Sequence, residues 1–380
     1  MTTKSKLFID VHAIQTLPPS NINRDDTGSP KTAQYGGARR TRVSSQSWKR
    51  AMRNYFKEVK KENVGYRTAK LREIIVKNII SLEPNIDYAS AYELTETQLD
   101  NIVKKVGSNE KKVFDFKEGE LTALYFVSPA QVKALAEWFI KVYNKEIKAS
   151  KKSELSKIYK EELNKNMSID IALFGRMLAT DASLNEDASS QVAHAISTHA
   201  VQTEFDFFTG IDDLSPEDNA GAGMLGTVEF NSSTLYRYAN VAAHDLFRQL
   251  ADKEATIKTL KLFIEAFAKS LPTGKVNTFA NQTLPQALVV SVRSDRPINL
   301  VSAFEKPVKP NDGYVVPSIE KLSAEFGKIS KFSDDALYTV YVTTEEVEQL
   351  QKIGIEQQSL NELLSNLESK LNEFMDTVGE

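Results

Sequence analysis

The residues best suited to chemistry in this sequence lie between Tyr35 and Lys57. Arg39, Arg40, Arg42, Lys49, Arg50, Arg53 and Lys57 all fall there, and no acid lies between Asp26 and Glu58. The whole chain of 380 residues is nearly balanced, with 51 Asp and Glu against 48 Lys and Arg, so a purely cationic stretch of this length is not expected by chance. Guanidinium and ammonium groups grip phosphate oxygens, the former bidentately. Ser44, Ser45, Gln46 and Ser47 add hydroxyl and amide donors beside them. Gly36-Gly37 allows backbone to approach a ligand closely. The chemistry is anion binding, and the density of charge points to a polyanion. A capped amphipathic helix with a solvated basic face is the competing reading.

Other chemistries have weaker carriers. Asp25-Asp26 is the best acid pair; adjacent carboxylates can hold Mg²⁺, which would make a metal-dependent ribonuclease. The alternative role for the pair is to orient Arg24 and its basic neighbours by ion pairing. The four histidines, His12, His194, His199 and His244, sit in no local nucleophile motif. His194 and His199, five apart in an extended stretch, would face opposite ways and make poor metal ligands. No phosphate-loop pattern exists: Pro272-Thr273-Gly274-Lys275 lacks the first glycine and the hydroxyl after lysine. No cysteine is present, which excludes disulfides and thiolate metal sites. No cofactor and no metal site is expected.

Elements must position these residues. Trp48, Ala51, Met52, Tyr55, Phe56 and Val59 recur at helical spacing, with Ser44 or Ser45 as N-cap, so the cations flank a helix start. Leu7, Ile9 and Val11 alternate with Phe8, Asp10 and His12 as a central strand ending at Pro18-Pro19-Ser20. Residues 60–166 read as a helical insertion: Leu71 to Leu82 and Leu94 to Val106 mark helices, Leu121 to Val127 a short strand. Ser128-Pro129 opens a further helix. Ile169 to Phe174 reads as a strand returning to the core. An extended excursion follows from Val192, through Phe205, Phe207 and Phe208, to a tip at 214–225 rich in Gly, Ala, Asp and Asn together, and a returning strand at 227–241. Helices at 256–270 and 360–374 and strands at 287–292 and 337–342 complete the chain.

Hydrophobic content of 41% with 26% charged residues is that of a globular protein. A net charge of −3 argues against coating nucleic acid over the whole surface, but permits one basic groove. No apolar run reaches membrane-spanning length and no signal-peptide core is present, so a prokaryotic cytosol is the expected compartment.

With these residues in place, the chain resembles the backbone subunit of the type I-E CRISPR Cascade complex, the CasC (Cas-seven) family. The resemblance is carried by Asn23-Arg24-Asp25-Asp26, by Gly36-Gly37-x-Arg39-Arg40-x-Arg42-x-Ser44-Ser45-Gln46-Ser47-x-Lys49-Arg50-Ala51-Met52-Arg53, and by Asp170-Ile171-Ala172-Leu173-x-Gly175-Arg176-Met177. Ala193-His194-Ala195-Ile196-x-Thr198-His199, Asp212-Asp213-Leu214, Leu225-Gly226-Thr227-x-Glu229-Phe230 and Tyr236-Arg237-Tyr238-Ala239-Asn240 extend it.

The resemblance implies an α+β fold: a modified RRM-like (ferredoxin-like) palm from 1–59, 167–191 and 227–380, helical fingers at 60–166 and a β-hairpin thumb at 192–226. It implies a non-enzymatic subunit that polymerises head to tail along a CRISPR RNA. That filament would join other Cascade subunits and support pairing of target DNA with the guide. Arg24, Lys31, Arg39, Arg40, Arg42, Ser45, Gln46, Lys49, Arg50, Arg53 and Lys275 would bind RNA. Met177 and Leu225 would wedge at a displaced nucleotide, with Phe207 and Phe208 supporting the thumb. A monomeric RRM-like RNA-binding protein is the other alternative to a ribonuclease.

Overall fold

Strand β1 (Phe8–Ser20) runs through the middle of the main sheet in a computed structural model that describes residues 6–59, 63–106, 108–147, 152–210, 224–310 and 312–376. Its neighbours are the Met224–Ala242 and Ala287–Arg293 strands, both antiparallel to it. β1 is apolar on both sides because both faces are covered. Ile14 packs with Phe304, Ile319 and Leu322, whereas Leu17 packs with Val43, Trp48 and Leu271. Pro18 and Pro19 do not end the strand. They fall at a register shift between Leu17 and Ser20, where missing amide donors leave no ladder bond broken.

Beyond the Met224–Ala242 strand lie Ala195–Ser197, then β3 (Ala38–Val43), then β2 (Thr32–Tyr35) at the edge. On the other side come Tyr338–Thr343 and the short parallel strand Ile355–Glu356. A first strand flanked by two late strands, with helices between them in sequence, is the α+β, RRM-like (ferredoxin-like) arrangement expected. Helix α1 (Ser45–Val59) follows β3 directly. The helix at Val315–Ile329 is an element that periodicity did not suggest. Pro317 lies in its first turn, where proline is tolerated because its missing N–H has no partner to lose.

The chain forms two compact units, one of Met1–Tyr55, Gln191–His244 and Ile257–Glu380, the other of Phe56–Ser190 and Asp245–Thr256. The second is mainly helical. Leu71–Leu82, Tyr88–Asp100, Pro129–Tyr143 and Lys152–Asn164 bury one core that includes Ile75, Leu135, Phe139 and Tyr159. Ser128 and Gln131 form a reciprocal capping box at the start of the third of these.

Two expectations in this unit are corrected. The helix expected through Val106 stops at Asp100; Val103–Val106 instead pairs with Asn109–Lys112, β-branched Val103 buried and the lysines toward solvent. Ile169–Phe174 is a helix, not a strand. A six-residue apolar run has no period of its own. Here buried Asp170 settles it by accepting the Gly65 N–H (2.8 Å) and the Ser168 hydroxyl (2.7 Å) near the helix start, where a carboxylate is favoured.

Candidate nucleic-acid interface

The β2–β3 hairpin and α1 hold the basic run. Gly36 and Gly37 have φ of 56° and 73°, the left-handed pair that a two-residue hairpin turn demands. For Gly36 this corrects the reading as a ligand-facing position; Gly37 is exposed, and a Cβ there would meet no described atom within 4 Å. A Cβ on Gly36 would lie 1.6 Å from the Glu305 carbonyl oxygen, so the close backbone approach is internal.

Along β3 the arginines divide. Arg39 is exposed. Arg40 is fully buried and donates to the carbonyls of Tyr35 (3.2 Å), Ser197 (2.9 Å) and Phe304 (2.8 Å). It is therefore corrected from an RNA contact to a clamp on three backbone segments, because a guanidinium so saturated and enclosed cannot reach a phosphate. Arg42, half-buried, donates from Nε to the Thr32 carbonyl (3.3 Å) and lies 3.1 Å from His194 Nδ1. Arginine has no acceptor, so Nδ1 must accept and His194 is neutral with its proton on Nε2. Burial, then the charges of Arg42 and Lys31, hold His194 below the usual histidine range. His199 lies elsewhere: its ring stacks on Tyr314 at 3.7 Å and bridges Thr234 N–H and the Ala200 carbonyl. Both histidines are hydrogen-bonded parts of the sheet end.

Helix α1 starts where expected. The Ser44 carbonyl accepts from Ser47 (3.0 Å) and Trp48 (3.3 Å). The first-turn amides that follow it, those of Ser45 and Gln46, have no carbonyl of their own helix to bond. Gln46 and Arg50 are exposed; Ser45, Lys49 and Arg53 are partly exposed. Trp48, Met52 and Phe56 face the core as read, but Val59 is exposed, so the buried stripe ends a turn early.

Asn23 ties the next loop to this helix start. Its Oδ1 accepts the Ser44 N–H (2.8 Å) and its carbonyl accepts the Lys31 N–H (2.9 Å). Between them Asp25 organises a tight loop: its Oδ1 accepts from Thr27 N (3.0 Å), Thr27 Oγ1 (2.7 Å) and Ser29 N (3.0 Å). The Thr27 hydroxyl leads the interactions that hold the Asp25 carboxyl below the usual range. Asp25 thus shapes its own loop rather than orienting neighbouring cations. Arg24 is exposed, and Arg24, Asn23, Asp26 and Gly274 line one open depression. Lys275, next to Gly274, is half-exposed.

What seats α1 on the sheet is a residue without an assigned role in the sequence. Arg237 is buried between the rings of Trp48 (3.7 Å from the centroid) and Phe267 (4.3 Å). It donates to Gln15 and to the Phe267 carbonyl. Burial lowers its pKa to about 9. The available signal was an arginine alternating with Tyr236 and Tyr238 in an otherwise buried strand.

The remaining expected residues belong to other elements. Glu204–Gly210 pairs with the Met224 end of its partner strand, with Phe207 opposite Thr227 and Thr209 opposite Leu225. Alternation puts Phe205, Phe207 and Leu225 on one exposed apolar face of the ribbon. Phe208 points the other way and covers Gly226, where a Cβ would lie 2.3 Å from its ring. Most of the expected tip, 211–223, lies outside the described residues. Met177 belongs to the second unit and is 82% exposed, directly after Arg176, which is buried and donates to the carbonyls of Leu184 (2.7 Å) and Leu163 (2.9 Å). Among the described residues no group of three or more His, Asp or Glu could hold a metal ion, and no helix is long and apolar enough to cross a membrane.

A family model described as CT1975-like protein matches residues 9–366. A solved chain described as "CRISPR RNA-guided surveillance complex, pre-nicking" is similar at 32% identity and a TM-score of 0.80, over 96% of this chain and 100% of its own. Another, described as "CRISPR RNA-guided surveillance complex", is similar at 29% identity and a TM-score of 0.62, over 96% of this chain and 99% of its own. A comparison with curated proteins finds no match.

Proposed function

The chain belongs to the CT1975-like protein family, and from that premise we propose that it is the RNA-gripping backbone subunit of a CRISPR RNA-guided surveillance complex. One observation carries the reading. The start of α1 and the Asn23–Lys31 loop, joined by the Asn23–Ser44 hydrogen bond, present Arg24, Arg50 and Gln46 to solvent beside first-turn amides. That is a surface suited to phosphate oxygens, which any RNA presents whatever its base order. A guide scaffold needs this, since it must hold RNAs of any sequence.

The finer reading is a type I-E complex in the prokaryotic cytosol. Copies of the chain would stack head to tail on the CRISPR RNA, the exposed Phe205–Phe207–Leu225 face and Met177 would press against displaced nucleotides, and target DNA would pair with the guide. Palm, fingers and thumb would divide these tasks. The subunit would be non-catalytic. A ribonuclease built on Asp25 and Asp26 is disfavoured, because Asp25 Oδ1 already accepts three hydrogen bonds that shape its loop.

The test is to purify the chain with its operon partners and sequence the RNA that accompanies it. Transcripts of uniform length with CRISPR repeat ends are expected. RNA of random length and origin would overturn the guide-scaffold reading.

A further inference from the structure

We propose that Gly274 is a positioning residue of the phosphate-binding surface: its missing side chain seats the 272–280 loop on the backbone of Ile22 and thereby brings Lys275 to the rim of the depression lined by Arg24. The proposal rests on the RNA-gripping reading above and adds a second wall to it.

Space alone demands the glycine. Its φ is not in the left-handed region, so alanine would be conformationally acceptable there. A Cβ, however, would lie 2.4 Å from the Ile22 carbonyl oxygen and 2.7 Å from its carbon. Both are backbone atoms that cannot rotate away. Ile22 is followed by Asn23, whose Oδ1 holds the Ser44 N–H at the start of α1. The seat therefore fixes the 272–280 loop against the same backbone that carries Arg24 and caps the basic helix.

The loop itself is held in an unusual shape. Lys275 and Ala280, neither a glycine, have φ of 51° and 48°, and the single helical turn Val276–Phe279 sits between them. Thr278 and Phe279 both donate to the Lys275 carbonyl at 3.1 Å. Asn281 is fully buried, and neither of its side-chain amide atoms has a partner among the described residues. The two hydrogen bonds favour this turn, but the left-handed Lys275 and Ala280 and the unpartnered amide of Asn281 disfavour it, so contacts outside the loop help to hold it. The Gly274–Ile22 contact is placed to do so. A lysine delivered by a pre-set loop loses less freedom on binding a phosphate than one on a free tether.

The experiment measures binding of a labelled single-stranded RNA to the full chain over a salt series, with melting curves taken without RNA. Lys275→Ala should reduce the slope of log affinity against log salt by about 0.7, the share of one phosphate contact on a single strand. Gly274→Ala should reduce it equally, and the double variant no further. Lys275→Arg should keep the wild-type slope. If Gly274→Ala loses its melting transition, one glycine inserted after Gly274 keeps the seat while displacing Lys275, and should reproduce the loss. A wild-type slope in Lys275→Ala, or additive losses in the double variant, would overturn the proposal. A wild-type chain that binds no RNA would instead overturn the reading beneath it.

Discussion

At the scale of single residues, charge and role part company. Arg40 and Arg39 are adjacent in sequence, yet only one can meet a phosphate. Replacing Arg40 with alanine leaves several buried carbonyls without a donor and opens a cavity, so stability should fall by about 2–4 kcal/mol, read by denaturant unfolding. The salt slope of RNA binding by the folded fraction should not change; a lower slope would return Arg40 to the binding surface. His12 offers a pH-dependent counterpart. Burial lowers its pKa from 6.5 to about 3. The unfolded chain takes up that proton first, so the stability His12 contributes is present above pH 6.5 and is lost as pH falls from there toward 3. Asp10 has the opposite sign: burial raises it from 3.8 to about 6, and its contribution, complete below 3.8, is lost as pH rises through 6. The two nearly offset between pH 6 and 4. Removing one exposes the other, so the stability gap between wild type and His12→Gln should narrow by about 1.4 kcal/mol per pH unit from pH 6.5 to 5. A constant gap would show that His12 is not neutral in the fold.

Among the elements, the Glu204–Gly210 ribbon turns an apolar face outward. Phe205, Phe207 and Leu225 form an apolar face that none of the described residues covers, on a two-stranded ribbon that a lone hairpin could not stabilise in water. Phe208 over Gly226 stiffens it from behind. Deleting 214–225 should abolish assembly on long RNA, measured by light scattering, while binding to a short RNA persists. Assembly undiminished by the deletion would favour the monomeric binder. The β2–β3 hairpin and α1 show the reverse economy: almost every special residue there serves the fold, from the left-handed glycines to the arginine clamp, and this rigidity keeps the exposed cations in place.

For the whole molecule, a net charge of −3 alongside a 31-residue interval free of acid means that attraction to RNA is local. Affinity should then follow phosphate number and salt rather than base order. Guides of equal length and permuted sequence should bind within about threefold of one another, whereas a tenfold spread, about 1.4 kcal/mol, would mean that bases are read. The two compact units interleave along the chain, so the helical one enters as an insertion after α1 begins rather than as an appended domain.

The sequence by itself determined the long elements and the location of the basic surface. Periods of 2 and 3.6 repeated over many residues leave little choice, as in β1, α1 and the Leu360–Met375 helix. The acid-free interval marked the stretch that carries the exposed Arg39 and Arg50. Short runs were undetermined: Ile169–Phe174 is equally apolar as strand or helix, and only Asp170 meeting Gly65 N–H settles it. Only tertiary structure decided which cations are free to act. Burial depends on partners distant in sequence, such as Phe304 for Arg40, Trp48 and Phe267 for Arg237, and Ile22 for Gly274. A local pattern records the type and spacing of a side chain, but which surface closes over it is set by the packing of the rest of the chain.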